Sequence, residues 1–230
     1  MPFAILPFSD KRSAGILIPS FGEREDVGFF LNGLGYYQPI GDHFDLKILA
    51  DIYTKGSWNL KPEVNYKKNY KYTGNFSADV GTTVRGIKGL DDYSKTGTYR
   101  IAWRHQQDPK ANPFLTFSAS VDVVSNKFYN NTVNNNYAFN QNNLNAQQNS
   151  TVSVVKRFLT LPITITGTSS YSQNFSTGLA DLKLPLMNVA INQFYLFKPK
   201  TGVRQGLLEN ITVNTGLNLN NYVQTNEGEL

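Results

Sequence analysis

Chemistry in this 230-residue chain has few places to start, because it holds only two histidines, His43 and His105, and no cysteine. Each histidine falls on or beside a stretch of alternating apolar and polar residues, and neither has a partner at a ligand spacing. A place in a wall or a turn is therefore expected for both, ahead of metal binding or acid–base work. Ser118 or Ser120 could meet His105 across neighbouring strands as nucleophile and base, but the spacing fixes neither a third group nor a common face. Asp91 and Asp92 form an acidic pair that could meet a cation; in a long polar loop a solvated tip is the ordinary outcome. With no thiol for disulfide or thiolate–metal chemistry, the sequence predicts no metal, no cofactor and no enzymatic activity.

A second set of residues is larger and more regular. Asp45, Lys47, Asp51, Lys61, Glu63, Lys71, Arg100 and Arg104, together with Asp79, occupy polar positions in successive alternating stretches. Residues i and i+2 of a strand share a face, so these charges are predicted to line one face as a hydrated lumen of mixed sign. The intervening positions are apolar. Aromatic residues, among them Tyr36, Tyr53, Trp58, Tyr66, Tyr72, Tyr99 and Trp103, gather toward the predicted strand ends. Rings with one polar atom suit a membrane interface there; in a soluble sandwich the same rings would pack a core.

Strands must position both sets. The composition has 17% charged and 13% aromatic residues and favours strands and turns over helices. A net charge of +5 is spread along the chain with no basic block, which argues against a nucleic-acid partner. From Val27 the hydrophobic period is two almost throughout. It gives about 11 strands after Ser13, many of roughly 10 to 13 residues, against about 5 or 6 for an ordinary globular strand. A strand crossing a bilayer at a tilt needs about 9 to 11.

Period alone fits a soluble sandwich with its apolar face inward as well as a membrane barrel with that face outward. Loop lengths favour the barrel. The two longest loops, 85–96 and 125–148, leave the same side of an up-and-down sheet, whereas 39–42, 68–70, 108–112 and 160–162 on the other side are short. Segment 187–207 breaks this asymmetry, being long on the short-turn side. The Asn- and Gln-rich loop 125–148 reads as a surface loop that cannot build a core. No apolar run is long enough for a spanning helix, a finding that says nothing against spanning strands.

The first stretch has its own logic. Pro7 and Pro19 sit in two short apolar runs on either side of Asp10, Lys11 and Arg12. Proline donates no ladder hydrogen bond and is confined to sheet edges or bulges. Loop parity makes residues 1–12 a lead-in on the short-turn side and residues 13–230 the strand-built part, with Pro19 inside the first wall strand.

LPFSDKRSAGILIPSF, followed by GYYQPIGDHFDLKILADIYTKGSWNLKPEVNY, resembles the opening of the barrel domain in the LptD family of outer-membrane lipopolysaccharide-assembly proteins. The likeness is carried in order and spacing by Pro7, Asp10, Lys11, Arg12, Gly15, Ile18, Pro19, Tyr36, Tyr37, Asp45, Lys55 and Gly56. QNFSTG at 173–178 and FYLFKPK at 194–200 resemble the form found in the Bacteroidetes branch. The resemblance implies an all-β fold, an antiparallel up-and-down transmembrane β-barrel of about 26 strands, of which this chain is an N-terminal portion. Residues 1–12 would lead in from a periplasmic jellyroll.

It further implies transport of lipopolysaccharide into the outer leaflet of the cell outer membrane, through a lateral gate where first and last strands meet. On that reading Pro7 and Pro19 weaken the gate, while Asp10, Lys11, Arg12 and Gly15 lie at the jellyroll–barrel junction. The implied partners are lipopolysaccharide, outer-membrane lipids, an LptE-like plug lipoprotein and an LptA-like periplasmic bridge. Two departures stand out: no jellyroll or closing strand is visible, and the disulfides of proteobacterial members have no cysteines here. The alternatives are a passive outer-membrane porin, which needs the strands but not the prolines, and a soluble β-sandwich adhesin.

Overall fold

Alternating residues become strands wherever turn chemistry leaves them long enough to pair. The computed structural model describes residues 12–128, 133, 147–175, 177–197 and 207–226. Among them are twelve strands: β1 (Gly15–Leu17), β2 (Ser20–Arg24), β3 (Gly28–Ile40), β4 (Phe44–Tyr53), β5 (Trp58–Lys68), β6 (Tyr72–Arg85), β7 (Ser94–Gln107), β8 (Leu115–Val124), β9 (Gln147–Arg157), β10 (Ile163–Asn174), β11 (Leu179–Tyr195) and β12 (Thr212–Asn226). A short 3-10 helix, Leu208–Asn210, precedes β12. The hydrogen-bonded order is β1-β3-β4-β5-β6-β7-β8-β9-β10-β11-β12, with β2 also on β3. This is the all-β, up-and-down arrangement expected, and the order is open at both ends.

The count exceeds eleven because the first wall strand is in two pieces. β1 pairs with β3 from Gly15↔Tyr37 to Leu17↔Gly35, and β2 resumes in the same register from Ser20↔Asn32 to Arg24↔Gly28. Ile18 and Pro19 fall between them. Every later strand has at least ten residues, and β11 reaches 17. The long reach of β11 accounts for part of segment 187–207: strand continues to Tyr195 where the loop asymmetry had predicted a short turn.

Two compact units divide the chain. The first holds β1 to β4, β5 as far as Lys67, β6 from Asn75, β7 as far as Arg100, and Lys127, Phe128 and Val133. Its apolar positions, such as Phe29, Leu31, Ile52, Trp58, Leu60 and Phe76, are exposed, while Asp51, Ser57, Asp79, Thr83 and Thr98 are buried alongside Val27, Tyr53, Val84 and Phe128. The polar face is therefore the more buried one. A soluble sandwich hides its apolar face, and a membrane barrel shows it to lipid.

The second unit holds 68–74, the rest of β7 from Ile101, β8, and β9 to β12. Here side chains replace the ladder where strands diverge. The β8–β9 pairing stops at Ser120↔Thr151; beyond it Ser150 Oγ accepts the Asp122 N–H and donates to the Asp122 carbonyl, both at 3.0 Å, and Gln148 Oε1 accepts the Val124 N–H at 3.1 Å. Near the opposite end of β8, Gln107 donates to the Leu115 carbonyl and accepts the Phe117 N–H. Polar side chains thus satisfy backbone groups near both ends of β8.

Candidate functional site

The features that could do work gather in the first unit, around the two-piece first strand. Along a strand, the N–H and C=O of one residue point to the same neighbour, and the direction alternates. The Phe29 carbonyl accepts the Thr54 N–H at 3.0 Å, so Phe29 and Leu31 face β4 while Phe30 and Asn32 face β2. Their partners Gly22 and Ser20 face β3 in return. Phe21 turns its main chain to the free edge. On the far side of the interruption Gly35 and Leu17 face one another, since Leu34 and Tyr36 are turned to β4, so the alternation shifts across Ile18 and Pro19; Ile18 is 90% exposed.

The neighbouring strand is irregular at the same level. Pairing of β3 with β4 slips between Leu31↔Ile52 and Leu34↔Ala50, so that Asn32 and Gly33 together oppose Asp51. This is a β-bulge, and Gly33 takes the positive φ of 77° that a glycine can adopt without strain. Its N–H goes to Asp51 Oδ1 at 2.8 Å, and Asp51 Oδ2 receives Lys61 Nζ at 2.6 Å. Asp51 is only 2% exposed. Charge-assisted bonds to both carboxylate oxygens offset the cost of burying it.

Both ends of the first strand are tied down. Before β1, Arg12 donates to Asp45 Oδ1 at 2.8 Å and to the Asp42 carbonyl at 2.7 Å, and the Tyr37 hydroxyl adds a 2.8 Å bond to the same Asp45 oxygen. At the end of β2, Arg24 grips Asp26 through two bonds of 2.9 and 2.7 Å, which hold the Asp26 carboxyl below its ordinary range, and it reaches the Val133 carbonyl at 3.4 Å. Lys55 Nζ donates to the Glu25 carbonyl in the same turn.

Register brings five of the predicted charges to one face. Lys47 opposes Glu63 and forms an ion pair with it; Asp45 opposes Asn65, Leu49 opposes Lys61 and Asp51 opposes Asn59. Glu63 also accepts from Asn65 at 3.0 Å and Asn75 at 3.4 Å. Three acceptors buried nearby, Asn32 Oδ1, Asn59 Oδ1 and Asp79 Oδ2, have no protein donor, which suits a face that meets water or a polar solute. On the opposite face of β2, β3 and β4, Phe21, Phe29, Leu31 and Ile52 help to line an open apolar hollow of about 580 Å³.

The remaining predicted residues lie elsewhere. Arg100 is half-buried on β7 in the first unit, Arg104 is exposed farther along β7 in the second, and Lys71 is in the turn 69–71, where its carbonyl accepts the Asp108 N–H. Gly15 opens β1, and Pro7, Asp10 and Lys11 lie outside the described residues. His105 packs among Tyr72, Trp103 and Phe117, with ring centroids 5.2 to 6.1 Å away. Alternation from Phe117 turns Ser118 and Ser120 to the other face, so strand geometry does not assemble the serine–histidine pair. His43 ends the turn 41–43, and Asp92 closes its own loop by accepting the Ile87 N–H. The sequence reading missed Gly33, Arg24 and Asp26. Gly33 did carry a signal, since a lone glycine inside an alternating stretch marks a bulge or a close approach.

Comparison with known proteins adds a family. A family model described as LptD protein matches residues 1–230. The LPS-assembly protein LptD of Shewanella frigidimarina is 28% identical over 131 residues, which are 56% of this chain and 16% of that protein. Proteins of the same name from Actinobacillus pleuropneumoniae and Idiomarina loihiensis are 28% identical over 108 residues and 26% identical over 138 residues, covering 45% and 60% of this chain and 13% and 17% of theirs. The matched region spans about a sixth of the length of these relatives.

Proposed function

Because the chain belongs to the LptD family, we propose that it supplies the opening wall strands of a lipopolysaccharide-assembly barrel, with its first strand as one side of a lateral gate. Its location is the outer membrane, which suits long strands with an exposed apolar face. Lipopolysaccharide is an amphiphile. Its acyl chains would travel along the lipid-facing side of the seam, and its sugars and phosphates along the face that carries Lys47, Asp51, Lys61 and Glu63. Movement of this kind makes and breaks no covalent bond and asks for no catalytic residue.

One observation carries the gate: the first strand is interrupted at Ile18–Pro19, where the proline has no N–H to give a ladder. In hydrocarbon an unpaired backbone donor or acceptor costs several kcal/mol, roughly, so a fully paired seam resists opening. A proline in the seam strand leaves one fewer donor to pair. Pro7 would add a second such step. Residues 1–12 would lead in from a periplasmic domain, and Arg12 would fasten that junction to the β3–β4 turn. An LptE-like plug and an LptA-like bridge complete the proposed set of partners.

Replacing Pro7 and Pro19 together by valine in the whole protein tests this reading. Lipopolysaccharide should reach the cell surface more slowly while the barrel still assembles, as judged by its heat-modifiable mobility on a gel. A passive porin would be indifferent to the substitution, and unimpaired export would remove the gate assignment.

A further inference from the structure

We propose that the first strand is jointed: β1 and β2 are two pieces that turn separately about Ile18–Pro19, and Asp51 positions the joint by holding the β3 bulge opposite it. The proposal rests on the gate reading above but concerns the β3 bulge that lies opposite the interruption. Pro19 explains one lost donor in the first strand. It does not by itself explain why pairing with β3 lapses at Ile18 as well.

Leu17 and Ser20 both face β3, through Gly35 and Asn32, so the alternation breaks at the two residues between them and neither is paired with β3. The register on either side, Leu17↔Gly35 and Ser20↔Asn32, puts Ile18 opposite Leu34 and Pro19 opposite Gly33. Gly33 belongs to the bulge, has a φ of 77°, and sends its N–H to Asp51 in β4. A bulge bends its strand and disrupts the ladder locally. Two independent features therefore loosen the first strand at a single step, a proline within it and a bulge opposite it.

Each piece stays fastened on its own. β1 follows the Arg12–Asp45 contact, and β2 runs into the turn that Lys55 holds through the Glu25 carbonyl. A strand anchored at both ends and released in the middle bends there first. Asp51 acts on the first strand through Gly33, and Lys61 holds it in place from β5. The seam can then part over one half of its height while the other half stays closed. An amphiphile with separate polar and apolar parts would use such a two-step opening.

Gly33→Ala tests the bulge directly. A Cβ there meets no atom within 4 Å, so its effect would come from the backbone conformation alone. Because that variant can misfold, the decisive experiment is a reversible staple, Ile18→Cys with Leu34→Cys, in the whole protein within its native membrane. The expected result is that oxidation removes most lipopolysaccharide export and that reduction restores it. A staple across a distant ladder pair, Ser153→Cys with Thr168→Cys, should leave export unchanged. If the proline replacements slow export but the Ile18–Leu34 staple does not, the joint is wrong and the gate stands. If neither slows export, the gate falls and the joint falls with it.

Discussion

At the scale of single residues, the two ion pairs of the polar face differ in kind. Lys61 and Asp51 have side chains 21% and 3% exposed, whereas Lys47 and Glu63 are 36% and 31% exposed. Removing one partner of a buried pair strands the other charge, while a pair in contact with water contributes about 0 to 1 kcal/mol. Asp51→Ala should therefore lower stability by roughly 1 to 3 kcal/mol, since it also orphans the Gly33 N–H. Asp51→Asn, which keeps an acceptor for Gly33, should cost less, and Glu63→Gln should stay within about 1 kcal/mol. Thermal unfolding of the folded, heat-modifiable form orders the three; equal shifts would mean that Asp51 does not hold the bulge. Pro19 and the polarity of Asp51 are legible in the sequence. Capture of the Gly33 N–H is not, because it depends on a one-residue slip between β3 and β4 that strict alternation cannot register.

Strands and their turns obey the alternation more closely than the residues do. The short turns at 41–43 and 69–71 could be read from the sequence because turn chemistry is local, although the long connection after β11 defeats the loop asymmetry; the shared face of the charges from Asp45 to Glu63 was legible too. The splitting of the first strand was only half visible: Pro19 marks an edge, but the same-register resumption at Ser20 becomes apparent only once β3 is in place. Aromatic residues near strand ends offer a test at this scale. Trp58 opens β5, and Trp103 lies four residues before the end of β7, packed with His105 and Phe117. These are the two tryptophans of the chain. If both sit at a membrane interface, lipids brominated near the headgroup should quench their fluorescence more than lipids brominated deep in the chain. Stronger quenching by deep bromines would place the strands at the wrong height.

For the whole molecule the deciding contrast is between faces. Were this half of a soluble sandwich, burial would favour the apolar side, yet Asp51, Asp79, Thr83 and Gln173 are more hidden than Phe29, Ile52, Leu217 or Leu219. Alternation could not make that distinction, because it is blind to which face turns inward. The strand order is also open: β1 and β2 stand at one end, and β12, most of whose residues are exposed, at the other. Open edges bearing apolar side chains pair with whatever strand they meet, and in lipid their free amides find no water. The 230-residue chain on its own should therefore pellet or form polydisperse aggregates in detergent-free buffer. A micelle should keep it dispersed with its strand content intact by circular dichroism. Sedimentation velocity separates the outcomes, and a single monomeric boundary in plain buffer would contradict the membrane reading, because a chain exposing so much apolar surface beside an unpaired edge could not stay monomeric in water.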